Sequence, residues 1–146
     1  MKLARAIALS TLIPISGAFA QSLDLVPLLD AIERQADRSY VYARCAALYG
    51  AGMDFATRIE GPQTDENAET FLAEIGFHLS LAHIEAGHDA LDLPVVNPEV
   101  SRLVNLLQNR YDALIIENYL SSGNSITGII ADDLDLCAAL KEATVE

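Results

Sequence analysis

Apolar residues recur at intervals of three and four along most of the chain, which is the spacing of one face of an α-helix. Clusters of glycine and proline interrupt this pattern and divide it into four segments. The predicted helices cover residues 24–59, 64–90, 98–121 and 125–143. The third has a specific start signal, because Asn97 is a favourable N-cap and Pro98 suits the first helical position. The fourth is expected to turn these side chains inward: Ile126, Ile129, Ile130, Leu134, Cys137 and Leu140.

No segment shows the alternation of a β-strand, so the sequence predicts an all-α protein. Four amphipathic helices joined by short turns favour a four-helix up-down bundle. We expect this bundle to form a single domain over residues 21–146. The first and fourth helices are neighbours in such a topology.

The first twenty residues have the features of a secretory signal peptide. Lys2 and Arg5 precede an apolar run, and Ala18-Phe19-Ala20 is a small-x-small cleavage site. The apolar run is shorter than the roughly 20 residues of a membrane-spanning helix, which favours cleavage after Ala20 over retention as an anchor. Gln21 follows the cleavage site, where a lipoprotein would have cysteine. The sequence therefore predicts a periplasmic or secreted protein without a membrane attachment after cleavage.

The acidic composition narrows the function classes. Without Lys2 and Arg5 the mature chain has seven basic and 21 acidic side chains, a formal net charge of −14. This charge excludes a nucleic-acid-binding module, and the apolar content of 51 % excludes a disordered tail. Solubility alone accounts for such a charge, but the charge also suits a basic protein partner or cations. The oligomeric state stays open.

Cys45 and Cys137 are the two cysteines of the chain. An even number of cysteines in an exported protein indicates a disulfide, here between the first and fourth predicted helices. The alternative is a redox-active or metal-binding pair of thiols. Neither cysteine lies in a Cys-x-x-Cys motif, so the structural disulfide is preferred.

All three histidines lie on the second predicted helix, and four residues of this helix form a candidate metal site. Glu74, His78, Glu85 and His88 fall within an arc of roughly 80° on a helical wheel. Glu85 and His88 also have the Glu-x-x-His spacing of carboxylate-bridged metal bundles. The alternative places His78 at the edge of the core and leaves His83 and His88 in solvent.

Motifs of known enzymes and cofactor sites are missing from the sequence. The chain has no Gly-x-Ser-x-Gly, no His-Glu-x-x-His, no phosphate-binding glycine loop and no haem attachment motif. We therefore predict a non-enzymatic protein without a cofactor. The acidic run Asp132-Asp133-Leu134-Asp135 lacks the pattern of a calcium loop and predicts a solvated helix face.

A short segment carries a resemblance. Arg44-Cys45-Ala46-Ala47-Leu48-Tyr49, preceded by Tyr40-Val41-Tyr42, resembles a segment of small exported helical bacterial proteins of unknown function. The resemblance covers about ten residues and implies a structural role for Cys45. It brings no catalytic residue to the chain.

Three functional hypotheses follow from these features. The first is a protein-interaction module, such as an inhibitor or immunity protein for a basic enzyme. Tyrosines suit its interface because they combine apolar area with a polar tip, and the candidates are Tyr40, Tyr42, Tyr49 and Tyr119. The second hypothesis is a metal-binding helical bundle. The third is an acid-stress periplasmic chaperone, which the chain is similar to in size, helical content and single disulfide.

Overall fold

The computed structural model describes residues 25–62, 64–87 and 97–145, and these residues form five α-helices without a strand. The helices are α1 (Leu28–Glu33), α2 (Arg38–Glu60), α3 (Asp65–Glu85), α4 (Pro98–Ser122) and α5 (Ile129–Val145). The predicted all-α class is confirmed. The predicted signal peptide lies outside the described residues. The predicted end of the second helix is wrong, because α3 ends at Glu85 and Gly87 adopts a positive φ of 88°. Residues 88–90 of that prediction lie outside the described residues.

The first predicted helix is wrong, because residues 24–59 do not form one helix. α1 ends at Glu33, and Gln35 adopts the left-handed region with φ 61°. Asp37 then begins a new helix, since its carboxylate accepts a hydrogen bond of 2.7 Å from the Ser39 backbone N–H. An aspartate that satisfies the backbone in this way competes with helix continuation, which explains the break.

α2 is the central helix of the protein. Just over two turns of it are buried on every side, as expected for a helix that others surround, and the buried side chains are Val41, Tyr42, Ala43, Arg44, Cys45, Ala46, Ala47, Leu48 and Ala51. α3 runs antiparallel to it, since Arg38 pairs with Glu85 at one end and Gly52 faces Phe71 at the other.

α4 runs parallel to α2 and lies very close to it. Val100 packs in the cluster around Tyr42, and Arg58 pairs with Asp112 at 2.7 Å near the other end. Gly50 faces the Gln108 side chain of α4, and a Cβ atom there would lie 3.0 Å from its Oε1 atom, so the amide would have to move slightly.

The predicted disulfide is confirmed. Cys45 on α2 and Cys137 on α5 are joined across a Cα–Cα distance of 5.6 Å and a sequence separation of 92 residues. Both cysteines are fully buried in the main hydrophobic core. In the chain-entropy model, a loop of this length stabilises the fold by about 4–5 kcal/mol.

The start of the fourth predicted helix needs a correction. α5 begins at Ile129 and not at Ser125, because the Asn118 amide donates to the carbonyl oxygens of Ser125 and Thr127 and holds this segment as a loop. As a result, Ile126 is 55 % exposed and does not turn inward. The start of α4 is confirmed, since the Asn97 side chain accepts a hydrogen bond from the Glu99 N–H and Pro98 is the first helical residue.

Candidate functional site

A buried polar network joins α2, α4 and α5. Nη2 of Arg44 lies 2.6 Å from Oδ2 of Asp133, and Nε of Arg44 donates to the Tyr111 hydroxyl at 2.6 Å. Tyr111 in turn donates its proton to Oδ2 of Asp133 at 2.5 Å. All three side chains are sealed from solvent. A ligand therefore cannot reach them in this structure, and their effect is to fix the three helices relative to one another.

The charges of this network are set by its geometry. Burial by itself would lower the pKa of Arg44, but the adjacent Tyr111 and Asp133 outweigh burial and raise this pKa. Burial also raises the pKa of Tyr111, and the Asp133 carboxylate adds to the effect. The guanidinium thus stays charged and the phenol stays protonated, which is the state that donates to Asp133.

Asp133 also holds α1 in place. Its Oδ1 atom accepts a hydrogen bond of 2.7 Å from the Leu28 N–H, the first backbone donor of α1. The residue before α1 is Pro27, which offers no side-chain cap. Free N–H groups at a helix start need an acceptor, and here the acceptor comes from α5. The network therefore fixes the position of α1 along α5.

The surface between α1 and α5 is a groove with an apolar floor and an acidic rim. It has a volume of about 610 Å³ and is lined by Pro27, Leu29, Asp30, Asp132, Asp133, Asp135, Leu136 and Ala139. No basic side chain of the described residues lines it, and Leu29 is 54 % exposed. Within the described ranges, Asp30, Asp132 and Asp135 have no ion-pair partner. We call this surface the acidic groove.

The structure brings together two of the four predicted metal ligands. Nε2 of His78 lies 4.0 Å from Oε2 of Glu74, and the other Glu74 oxygen accepts from Nζ of Lys141 at 2.5 Å. Glu85 lies two turns further along α3 and pairs with Arg38. His88 lies outside the described residues. Residues 25–62, 64–87 and 97–145 contain no group of three or more potential ligands, and the metal site stays a prediction.

His78 lies inside the protein and not at the edge of the core. Its ring stacks on Tyr49 at 5.6 Å and on Tyr42 at 6.1 Å, and the edge of Phe77 covers it. Burial lowers the pKa of His78 to about 4, with Glu74 opposing this shift and Lys141 adding to it. Neither ring nitrogen has a hydrogen-bond partner among the described residues. His83 is also buried and not solvated, because its part of α3 packs on α2.

The four tyrosines predicted for an interface occupy different environments. Tyr119 is 38 % exposed and its ring contacts Phe55, while Tyr40 and Tyr49 are half-buried. Tyr42 is buried, with its hydroxyl 3.5 Å from the Thr144 hydroxyl, so it offers little surface to a partner. The four do not form one patch, since Tyr42 and Tyr49 line the His78 side and Tyr119 lies on α4.

The buried network is not among the features predicted from the sequence. The prediction of a solvated helix face is wrong for Asp133, which is 1 % exposed. Two signals identify the network in retrospect. Arg44 is the only charged residue between positions 39 and 53, and Asp133 lies one turn from each of the inward residues Ile130 and Cys137. An unpaired charge cannot be buried, so an arginine on a buried helix requires an acid on a facing helix.

No protein-family model, no curated protein and no solved structure matches the chain. Among the described residues, the model contains no helix with the length and apolarity that a membrane span requires.

Proposed function

We propose that the protein is an exported, non-enzymatic binding protein whose acidic groove takes a basic segment of another protein. The observation that carries this proposal is the composition of the groove, an apolar floor bordered by three aspartates without an ion-pair partner in the described structure. A partner with the complementary pattern would gain both apolar contact and charge pairing.

Arginine and lysine have the side chains that fit this groove best. Each combines a long apolar stem with a charged head. Leu29 and Leu136 can cover the stem, and the rim carboxylates of Asp132 and Asp135 can receive the head. Arginine suits the rim particularly well, because its planar guanidinium binds carboxylates with two hydrogen bonds.

The groove is also preorganised for binding. The Leu28 N–H bond to Asp133 holds one wall against the other, and Arg44 and Tyr111 hold Asp133 itself. A surface that is ordered before the partner arrives loses less conformational entropy on binding. The preformed shape favours recognition of a folded or extended basic segment.

We also propose where the protein acts and how its helices are arranged. Residues 1–20 serve as a cleaved signal peptide, and the protein acts in the periplasm or outside the cell. The Cys45–Cys137 disulfide is compatible with such an oxidising compartment. We take the four long helices, α2 to α5, as an up-down bundle with α1 as an addition. An inhibitor or immunity protein for a basic enzyme fits this description.

A titration with a basic peptide tests the function. The probe is an acetylated and amidated hexapeptide that alternates arginine and leucine, added to the oxidised mature protein and followed by isothermal calorimetry and NMR. We expect shifts confined to α1 and α5 and an affinity that falls with salt. Replacement of Asp30, Asp132 and Asp135 by asparagine should weaken binding about tenfold, since each pair contributes up to about 1 kcal/mol.

A matched variant distinguishes binding in the acidic groove from attraction of the peptide by the net charge of the protein. Glu66, Glu69 and Glu99 are exposed acids outside the groove, and their replacement by glutamine removes the same three charges. We expect this variant to retain most of the affinity of the wild type. Equal loss in both triple variants would show that the peptide senses only net charge and would refute the groove.

A second candidate function is the acid-stress chaperone, which the burial of His78 favours. Protonation of this ring at low pH places a charge among Tyr42, Tyr49 and Phe77, and this charge opposes the packing of α3 on α2. The test is protection of an aggregating client protein at pH 3–4. A His78→Phe variant that protects the client as well as the wild type contradicts this mechanism.

A further inference from the structure

A pocket lies on the other side of α5, where α3 and α5 both flank α2 and leave space between them. It has a volume of about 450 Å³. Its lining comes from α2, α3, α4, α5 and the loop before α5: Leu48, Tyr49, Gly52, Phe55, Ala56, Asn67, Phe71, Ile115, Ser125, Ile126, Ile130 and Leu134. The acidic groove lies between α1 and α5 and shares none of these residues.

The lining of this pocket contains no charged side chain. Two other clefts of the described structure contain several, namely Glu74, Lys141 and Glu142 in one and the aspartates of the acidic groove in the other. The polar residues of the lining are Tyr49, Asn67 and Ser125. A charged ligand would lose its hydration here without gaining an ion pair, so the lining selects an uncharged ligand.

Three aromatic rings line the pocket beside aliphatic side chains. Tyr49 and Phe55 belong to α2, and Phe71 belongs to α3. Phe71 lies against the bare backbone of Gly52, where a Cβ atom would come within 3.3 Å of its ring. Aromatic rings attract one another in stacked or edge-on arrangements beyond the effect of area burial. This lining favours a ligand that has an aromatic ring.

The dimensions of the pocket suit a small molecule. The floor from Leu48 to Ala56 spans about 12 Å along α2, at 1.5 Å per residue. The volume of about 450 Å³ lies within the usual range for small-molecule sites.

We propose that this pocket binds one uncharged, mainly aromatic small molecule, which completes the packing between α3 and α5. Ile126 forms an exposed apolar lip over the pocket, and the Asn118 amide holds the loop that carries it. The ligand would cover Ile126 and the half-buried rings of Phe55 and Phe71. This proposal does not depend on the basic partner, because it concerns a different surface.

The test uses N-phenyl-1-naphthylamine, an uncharged aromatic probe whose fluorescence rises in apolar surroundings. It is titrated into the oxidised mature protein, which has no tryptophan to interfere. We expect saturation at one probe per chain and a rise in the melting temperature. Ala56→Leu fills part of the pocket from α2 and should weaken binding at least about tenfold, because the larger side chain occupies space that the ligand needs. Ser125→Leu fills the pocket from the loop before α5 and should also weaken binding of the probe.

Ala73→Leu is the matched control, because it makes the same substitution at an exposed position of α3 outside the pocket. Circular dichroism and the melting temperature show whether each variant folds, and the two filling variants come from different elements. Retained binding in folded Ala56→Leu and Ser125→Leu overturns the proposal, as does non-saturable binding to the wild type. Half-stoichiometric binding with dimers in sedimentation also overturns it, in favour of a second copy of the chain as the occupant.

Discussion

Two buried polar clusters lie on opposite sides of α2, and they differ in how their polar atoms are satisfied. Around Asp133, both carboxylate oxygens, the Tyr111 hydroxyl and two nitrogens of Arg44 have partners within 2.7 Å, and Nη1 of Arg44 has none among the described residues. Around His78, both ring nitrogens and one oxygen of Glu74 have none among the described residues. The two clusters are both buried, but burial affects them in different ways. The Asp133 network is a rigid joint between helices, and the His78 cluster is held by ring packing and responds to protonation.

The largest expected effect is the loss of the buried acid. Asp133→Ala leaves the buried Arg44 charge without a counter-charge and the Leu28 N–H without an acceptor, and it should lower the free energy of unfolding by about 3–5 kcal/mol. Urea unfolding of the oxidised protein measures it. The control is Asp132→Ala, a neighbouring exposed acid, which should change stability by less than about 0.5 kcal/mol.

The double variant Arg44→Met with Asp133→Leu sharpens this test. It removes both charges, so it should be less destabilised than Asp133→Ala alone. A double variant as unstable as the sum of both single variants would show that the side chains act independently and not as an ion pair.

The second prediction concerns the other cluster and is a pH dependence. The pKa of His78 is about 4 in the fold and about 6.5 in the unfolded chain. As the pH falls from 6.5 to 4, the unfolded state gains a proton that the folded state does not. Stability from this group is therefore complete above pH 6.5 and decreases by about 2–3 kcal/mol down to pH 4. Unfolding curves at several pH values measure the decrease.

His78→Phe isolates this contribution from the acid titration of the carboxylates. The groups that face His78 are Tyr42 and Tyr49 on α2, Glu74 on α3 and Lys141 on α5, and all of them remain in the variant. We expect the curve of stability against pH to be flatter between pH 6.5 and 4. A curve parallel to that of the wild type would contradict the assignment.

A smaller effect is expected for the phenol of the Asp133 network. Tyr111→Phe removes the hydroxyl that donates to Asp133 and accepts from Arg44, while the ring keeps its place in the core. The loss should be about 1–2 kcal/mol, as for a buried hydrogen-bonding group left without a partner. Urea unfolding provides the value, and Tyr119→Phe, at an exposed hydroxyl on the same helix, is the control.

The smallest effect is expected at the exposed edge of the His78 cluster. Lys141→Met breaks the pair with Glu74, which is partly open to solvent and contributes at most about 1 kcal/mol. Because Lys141 helps to lower the pKa of His78, the variant should raise this pKa. NMR titration of the His78 ring measures it, and an unchanged or lower pKa would contradict the contact.

The two clusters also show what the sequence can predict. The α4 start and the disulfide follow from local signals, the Asn97-Pro98 pair and an even number of cysteines. The Asp133 network depends on contacts between residues 22 to 105 positions apart, such as Leu28 with Asp133 and Tyr111 with Asp133. Helical periodicity places Asp133 beside the buried residues Ile130 and Cys137, but it does not predict which residues of other helices bind its carboxylate.

The break between α1 and α2 was missed for a different reason. Apolar spacing continues through residues 34–37, so the pattern alone predicts one helix. The Asp37 cap and the positive φ of Gln35 end the helix in this segment. The spacing of apolar residues carries no information about either feature. Because of this break, α1 is a separate helix that contributes one wall of the acidic groove.

The separation of the two cysteines has a consequence for the order of events during biogenesis. Cys45 precedes Cys137 by 92 residues, and all of α3 and α4 lies between them. At a synthesis rate of about 5–20 residues per second, the second thiol follows the first by about 5–20 s. Throughout this interval Cys45 has no partner thiol in its own chain, so its thiol is open to mixed disulfides with other thiol compounds. The correct bond can form only after α5 has emerged and reached α2, so oxidation is a late event in the maturation of this protein.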